Sequence, residues 1–285
     1  MSKPTDEAGL SAPVIGCDTA AALMEPLTDL VVRAGAAILA VDRHAMKVEG
    51  KLDGSPVTEA DLAADRIIAE GLARIAPDIP ALSEERVHLA TPPHDGSFFL
   101  IDPLDGTKEF VAGRAEFTVN LALVTNGTPL LGIIGAPALG LIWRGLVGRG
   151  AERLQTGLRS VAEPIHTRPH PPAGAPWVVA VSRSHGDDRT EAFVAERPGA
   201  IRQMLGSAVK FAWVAEGGAD IYPRLAPTCE WDVAAGHAVV TAAGGRITDA
   251  RGADLQFGRG RPGAQGQHSF IVPEFIAWGD PKAVG

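Results

Sequence analysis

Residues 101–110 read IDPLDGTKEF, joining an apolar run at 98–101 to two carboxylates, Asp102 and Asp105, with only Pro103 and Leu104 between them. The run has the make-up of a buried strand, so Asp102 is expected at a strand end. Pro103 has no N–H to give to a ladder and is expected to turn the chain. Two carboxylates at this spacing, with the carbonyl of Leu104 between them, can converge on one or two hard cations, which favour oxygen ligands. Gly106 lets the backbone approach a phosphate closely, and the amides of Gly106 and Thr107 can donate to it as a helix start. The same letters also spell a plain turn, because Asp, Pro and Gly are common turn residues. The choice between the two readings rests on what the rest of the chain supplies.

Upstream, a helical pattern begins at Glu25-Pro26 and continues through Leu27, Leu30, Val31, Ala34, Ile38 and Val41, with Pro26 suited to the first turn. Residues 1–22 are small and polar without a sustained period, and read as a loose tail. A second helix is expected over 58–75, with an apolar stripe of Leu62, Ile67, Ile68 and Leu72, ended by Pro77. Strands are expected at 81–82, 98–101, 117–125, 131–134 and 140–146. Several are nearly continuous apolar runs, as in a sheet covered by helices. The proline-rich stretch 163–176 reads as a connector between one α/β half, residues 23–162, and a second, residues 163–285. In the second half, 177–181 reads as a strand, and 190–195, 207–215 and 231–243 as helices. Further strands are expected near Ile221 and Ile247.

A chain of 285 residues with 46% hydrophobic and 21% charged residues has enough apolar material for a large core. A net charge of −8 argues against a nucleic-acid polymer or an anionic membrane as partner, since both demand clustered Lys and Arg. Aromatic residues, at 5%, offer no stacking platform for such a polymer. No apolar run is long enough to span a bilayer, and Asp6, Glu7 and Asp18 break any signal-peptide order. Cys17 and Cys229 stand alone in sequence, without zinc or disulfide spacing, which fits a reducing cytoplasm. There is no G-x-x-x-x-G-K-[ST] loop, Gly-rich 251–266 reads as a surface loop, and His166 and His170 read as solvated among prolines.

Three further acidic places fall at element ends. Glu84 and Glu85 follow the short strand at 81–82, and Asp232 follows Trp231 at the mouth of an apolar helix. Asp61 closes Thr58-Glu59-Ala60-Asp61, a capping box for the second helix. Asp61 and Asp232 each carry two readings, because an aspartate in a first turn also satisfies free amides and the helix dipole. If the fold gathers Glu84, Asp102, Asp105 and Asp232, they cannot all stay ionised without cations. Two unit charges about 4 Å apart repel by about 4 kcal/mol at an effective dielectric near 20.

IDPLDGTKEF, together with EWDVAAGHAVVTAAGG at 230–245, closely resembles the two signature blocks of the inositol monophosphatase superfamily. KLDGSPVTEADLAAD at 51–65, Ser83-Glu84-Glu85, VSRSH at 181–185 and GSAVKFAWVAEG at 206–217 are most similar to its 3′(2′),5′-bisphosphate nucleotidases. The resemblance implies a layered α/β/α/β/α sandwich and hydrolysis of adenosine 3′,5′-bisphosphate by a lithium-sensitive, magnesium-dependent phosphomonoesterase of sulfur metabolism. It implies two or three Mg2+ ions. Glu84, Asp102 and the Leu104 carbonyl would hold one, and Asp102, Asp105 and Asp232 another, with the choice between Glu84 and Glu85 left open. Asp61 and Thr107 would orient and deprotonate the attacking water, with Gly106 and Thr107 close to the phosphate. Ser182, His185, Ser207 and Lys210 would surround the nucleotide. An exposed Lys or Arg is otherwise ordinary solvated surface. Arg224 stands in Tyr222-Pro223-Arg224, where inositol phosphatases tend to carry an acid, and suits an anionic group instead. The rival readings are an inositol or sugar-phosphate phosphatase and a catalytically silent homologue that binds a nucleotide or a partner. The partner implied is a small phosphate ester; homodimers are common in such families.

Overall fold

The computed structural model describes residues 12–43, 45, 48–50, 56–89, 95–157, 161–184, 186–260 and 266–284. Helix α1 (Cys17–Ala40) buries Leu27, Leu30, Val31, Ala34 and Ile38 at helical spacing. It starts well before Pro26, so residues 17–22, expected in the loose tail, are its first turns. The approach to the helix is held in place. Ser97 N donates to Pro13 O at 2.8 Å, and Ile15 N donates to Ser97 Oγ at 2.8 Å. A hairpin of β1 (Val48–Gly50) and β2 (Pro56–Thr58) leads into α2 (Glu59–Ile75). The expected box caps α2: Thr58 Oγ1 accepts from Ala60 N at 3.1 Å, and Asp61 Oδ2 accepts from Thr58 N at 2.8 Å. Ala64, Ile68 and Leu72 form its buried stripe, whereas Leu62, expected there, is 52% exposed.

Strands β3 (Ala81–Ser83) and β4 (Ser97–Asp105) come next, then the short α3 (Thr107–Val111). They are followed by β5 (Thr118–Thr125), β6 (Thr128–Ala136), β7 (Leu141–Leu146), β8 (Gly150–Gln155) and β9 (Glu163–Ile165). These seven strands form one sheet in chain order, antiparallel except for the parallel pair β3–β4. β9 falls inside the expected connector, and so the sheet of the first half runs past residue 162.

The remainder is β10 (Val178–Ser182), α4 (Asp188–Ala195), β11 (Ile201–Leu205), α5 (Val209–Ala215), β12 (Ile221–Arg224), β13 (Thr228–Cys229) and α6 (Glu230–Ala242). Strands β14 (Arg246–Thr248), β15 (Ile271–Val272) and β16 (Phe275–Trp278) complete it. A second sheet of five strands has the order β11-β10-β12-β16-β14, and β13 pairs with β15.

The layers follow from alternation along the strands. Phe99 and Ile101 of β4 pack with α1 and α2, whereas Phe98 and Leu100 join a second core containing α5 and α6. That second core also takes in Ala180, Tyr222 and Ala277 of the smaller sheet. Outside it, Val194 of α4 packs with Val179, Val181, Ile221 and Ile276. The result is the expected α/β/α/β/α sandwich. Its central layer fits because α6 is made largely of small residues. At Gly132 of β6 a side chain's first carbon would lie 2.3 Å from the Ala235 carbonyl oxygen, so only glycine lets the helix sit this close. No helix among the described residues is long and apolar enough to cross a membrane.

Candidate active site

Strand β4 does not turn at Pro103. It continues to Asp105 through a bulge: Asp102 pairs with Asn120 and Asp105 with Thr118, so β4 spends one residue more than β5 over the same stretch. Pro103 sits in that bulge, where its missing N–H costs the ladder nothing. The turn comes at Gly106, whose φ of +88° is left-handed. Asp102 is buried, and its Oδ1 accepts from Leu104 N at 3.0 Å. Asp105 Oδ2 accepts from Ser207 Oγ at 2.6 Å, Asn120 Nδ2 at 3.3 Å and Thr118 Oγ1 at 3.4 Å.

Asp232 opens α6, where its Oδ2 accepts from Cys229 N at 3.0 Å and from the Thr228 hydroxyl. It is a cap, and it also reaches the β4 carboxylates. One carboxylate oxygen from each of Asp102, Asp105 and Asp232 lies within 4.8 Å of the others. Asp61 is likewise doubly engaged. Oδ2 takes the capping bonds of Thr58, while Oδ1 accepts from Thr107 Oγ1 at 3.1 Å. The Thr107 hydroxyl also lies 3.2 Å from the Leu104 carbonyl oxygen.

Asp102, Leu104, Asp105, Thr107 and Asp232 line a pocket of about 210 Å³ between the two halves, with Asp61 behind Thr107. Glu84 reaches it from the turn after β3, although it stands outside the tight aspartate cluster, and Glu85 is not among the lining residues. Gly106, Ser182, Ser207 and Lys210 also line it, together with Arg224. His185 lies outside the described residues. Arg183 is absent from the lining and pairs with Glu116 at 2.9 Å.

The electrostatics are those of a crowded acidic site. Burial pushes the Asp105 carboxyl above its ordinary range and the charge of Asp232 adds to this, with Lys210, Ser207 and Asn120 opposing. Lys210 is not the solvated surface lysine its type suggests; it is 3% exposed, with Nζ donating to Ser207 O at 2.6 Å. Burial pulls its pKa down to about 8, against the attraction of Asp105. Burial also works against the charge of Arg224, and Tyr222 and Asp232 more than offset it. Clustered carboxylate oxygens that accept hydrogen bonds and face like charge are a donor set that fits a hard divalent cation.

Residues passed over in the sequence also belong to the surroundings of the site. Thr118 and Asn120 alternate along β5 and converge on Asp105. Two polar side chains at period two inside an apolar run are a legible signal of a shared polar face. Glu109, buried under the Ser184 hydroxyl, and Glu116 gave no such signal.

Comparison with known proteins places this architecture. Residues 21–275 match the inositol monophosphatase family. The 3′(2′),5′-bisphosphate nucleotidase CysQ of Shigella flexneri is 40% identical over 261 residues, covering 89% of this chain and 98% of that protein. The crystal structure of CysQ from Bacteroides thetaiotaomicron superposes with a TM-score of 0.69 at 31% identity, over 90% of this chain and 97% of that one. The Thermotoga maritima IMPase gives a TM-score of 0.69 at 27% identity, over 90% and 92%. A layered sandwich with an acidic pocket at its centre thus defines a class of phosphatases. The chain belongs to the inositol monophosphatase family and is an enzyme of it, as its motifs led one to expect.

Proposed function

We propose that this phosphatase hydrolyses adenosine 3′,5′-bisphosphate to AMP and phosphate with magnesium as its cofactor. One observation carries the choice of substrate: Lys210 and Arg224 share the pocket with the aspartates, and the Nε of Arg224 is buried without a hydrogen-bond partner. An anionic oxygen is the stronger acceptor for a guanidinium N–H, and a second phosphate offers one where an inositol ring offers only neutral hydroxyls. The CysQ relatives at about 40% identity support the same reading.

In this proposal Glu84, Asp102 and the Leu104 carbonyl would hold one Mg2+, and Asp102, Asp105 and Asp232 would hold another, two or three ions in all. When bound, the ions supply Lewis acidity to the phosphoryl group and to the attacking water. Asp61 is the general base, acting through Thr107. Its Oδ2 is tied down by Thr58, which leaves Oδ1 facing the Thr107 hydroxyl to take the proton. The amides of Gly106 and Thr107 receive phosphate oxygens, while Ser182, His185, Ser207 and Lys210 hold the nucleotide. The departing ribose oxygen takes its proton from a second water. Lithium inhibits, and the enzyme works in the cytoplasm, in keeping with free Cys17 and Cys229.

Initial rates of phosphate release from adenosine 3′,5′-bisphosphate and from inositol 1-phosphate, at one magnesium concentration, test this. The bisnucleotide is expected to show the larger kcat/KM by at least about tenfold, the scale of one charged hydrogen bond. Faster turnover of inositol 1-phosphate rejects the substrate. Asp105→Asn is expected to abolish turnover, and an active Asn variant rejects the metal centre.

A further inference from the structure

Where the two halves meet beside the pocket, a single carboxylate holds two loops of the second half. Glu116 lies between α3 and β5. Its Oε2 accepts from Gly206 N at 2.8 Å, and its Oε1 accepts from Arg183 Nη2 at 2.9 Å. The same Nη2 donates to Met204 O at 2.7 Å, so Glu116, Arg183 and the end of β11 close into a ring. The ring fixes the backbone just before Ser207. Ser207 has a φ of +50°, left-handed and strained for a residue with a side chain. Such a conformation persists only where its surroundings hold it. It is also what aims the Ser207 side chain. From this backbone Oγ reaches Asp105 Oδ2 at 2.6 Å, and the Ser207 carbonyl receives Lys210 Nζ at 2.6 Å.

We propose that Glu116 is a positioning residue of the metal centre, holding Ser207 in its left-handed form so that the Asp105 carboxylate is fixed for the cation. This rests on reading Asp105 as a cation ligand. Glu116 is itself absent from the pocket wall, so it acts through Ser207 and not by touching substrate or ion. Residues that orient a ligand from behind commonly change metal affinity tenfold or more.

The test is a double-mutant cycle on Mn2+ affinity, read from the paramagnetic resonance of free Mn2+ titrated into the metal-stripped full chain. Glu116→Gln and Ser207→Ala are each expected to weaken binding by on the order of tenfold. The double variant is expected to bind no worse than either single one, because both changes break the same link. A Glu116→Gln variant that binds Mn2+ like the wild type overturns the proposal. So does a double variant whose loss is the product of the two single losses. Should Glu116→Gln fail to fold by circular dichroism, Arg183→Met, which removes one of the two partners of Glu116, takes its place in the cycle with the same expectations. A wild-type chain that binds no Mn2+ overturns the metal centre itself, and this proposal with it.

Discussion

Ser207 combines a hydroxyl used in the site with a backbone that glycine would adopt more readily, and the two contributions can be separated. Ser207→Ala and Ser207→Gly both delete the hydrogen bond to Asp105, but only the alanine keeps a β-carbon at a φ of +50°. The glycine variant is therefore expected to be the more stable of the two by about 1 kcal/mol, measured by denaturant unfolding. Equal midpoints would mean that the left-handed backbone stores no strain. At this scale the sequence was informative about residue types but could not choose between roles. Asp61 and Asp232 were each legible both as a cap and as a site carboxylate, and the structure shows no contest between the two. In Asp61 one oxygen caps and the other faces Thr107. Lys210 was expected beside the nucleotide only from the resemblance, since nothing in GSAVK announces that its ammonium is buried against the Ser207 carbonyl.

Helix α6 is the element on which both sheets depend, and its fit is sensitive at Gly132. Adding one methyl there sets a carbon 2.3 Å from a backbone oxygen that cannot swing aside. Gly132→Ala is expected to cost about 1–3 kcal/mol, lowering the melting temperature of the whole chain in calorimetry. A melting temperature equal to wild type would mean that β6 and α6 separate easily. The helices and the apolar strands of the first half were legible because their periodicity is strong, α2 down to its cap. Among the strands that were not are β8, β9 and β11. β8 mixes Glu152 and Arg153 into a short run, and β9 is three residues long with a proline at its centre. β11 is an edge strand with Ile201 and Met204 facing solvent, so no buried face imposes alternation. The bulge at Pro103 was hidden for another reason: a proline that ends a strand and one that sits in a bulge look alike until the partner strand is known.

Over the whole molecule, acid stability is set partly by two buried groups on α6 that pull in opposite directions. His237 is 7% exposed and Glu230 is 4% exposed. Burial lowers the His237 pKa from 6.5 to about 4, and burial raises that of Glu230 from 4.5 to about 7. The unfolded chain protonates His237 first, so its contribution is whole above about pH 6.5 and is lost as pH falls towards 4. The folded chain holds the Glu230 proton more tightly, so that contribution is whole below about pH 4.5 and is lost as pH rises through 7. Each amounts to about 3 kcal/mol at full extent, and across the shared window the slopes oppose. In calorimetry with chelator between pH 4.5 and 6.5, Glu230→Gln is expected to gain stability with rising pH relative to wild type. His237→Leu is expected to lose it, and parallel curves for all three would show that neither burial matters. The same helix has a consequence for how the chain is made. The strands from 97 to 146 leave the ribosome with one greasy face bare, and the segment that covers it, 230–242, is translated much later. The nascent first half must therefore wait unfinished, and chaperones that bind apolar surface have their longest opportunity in that interval.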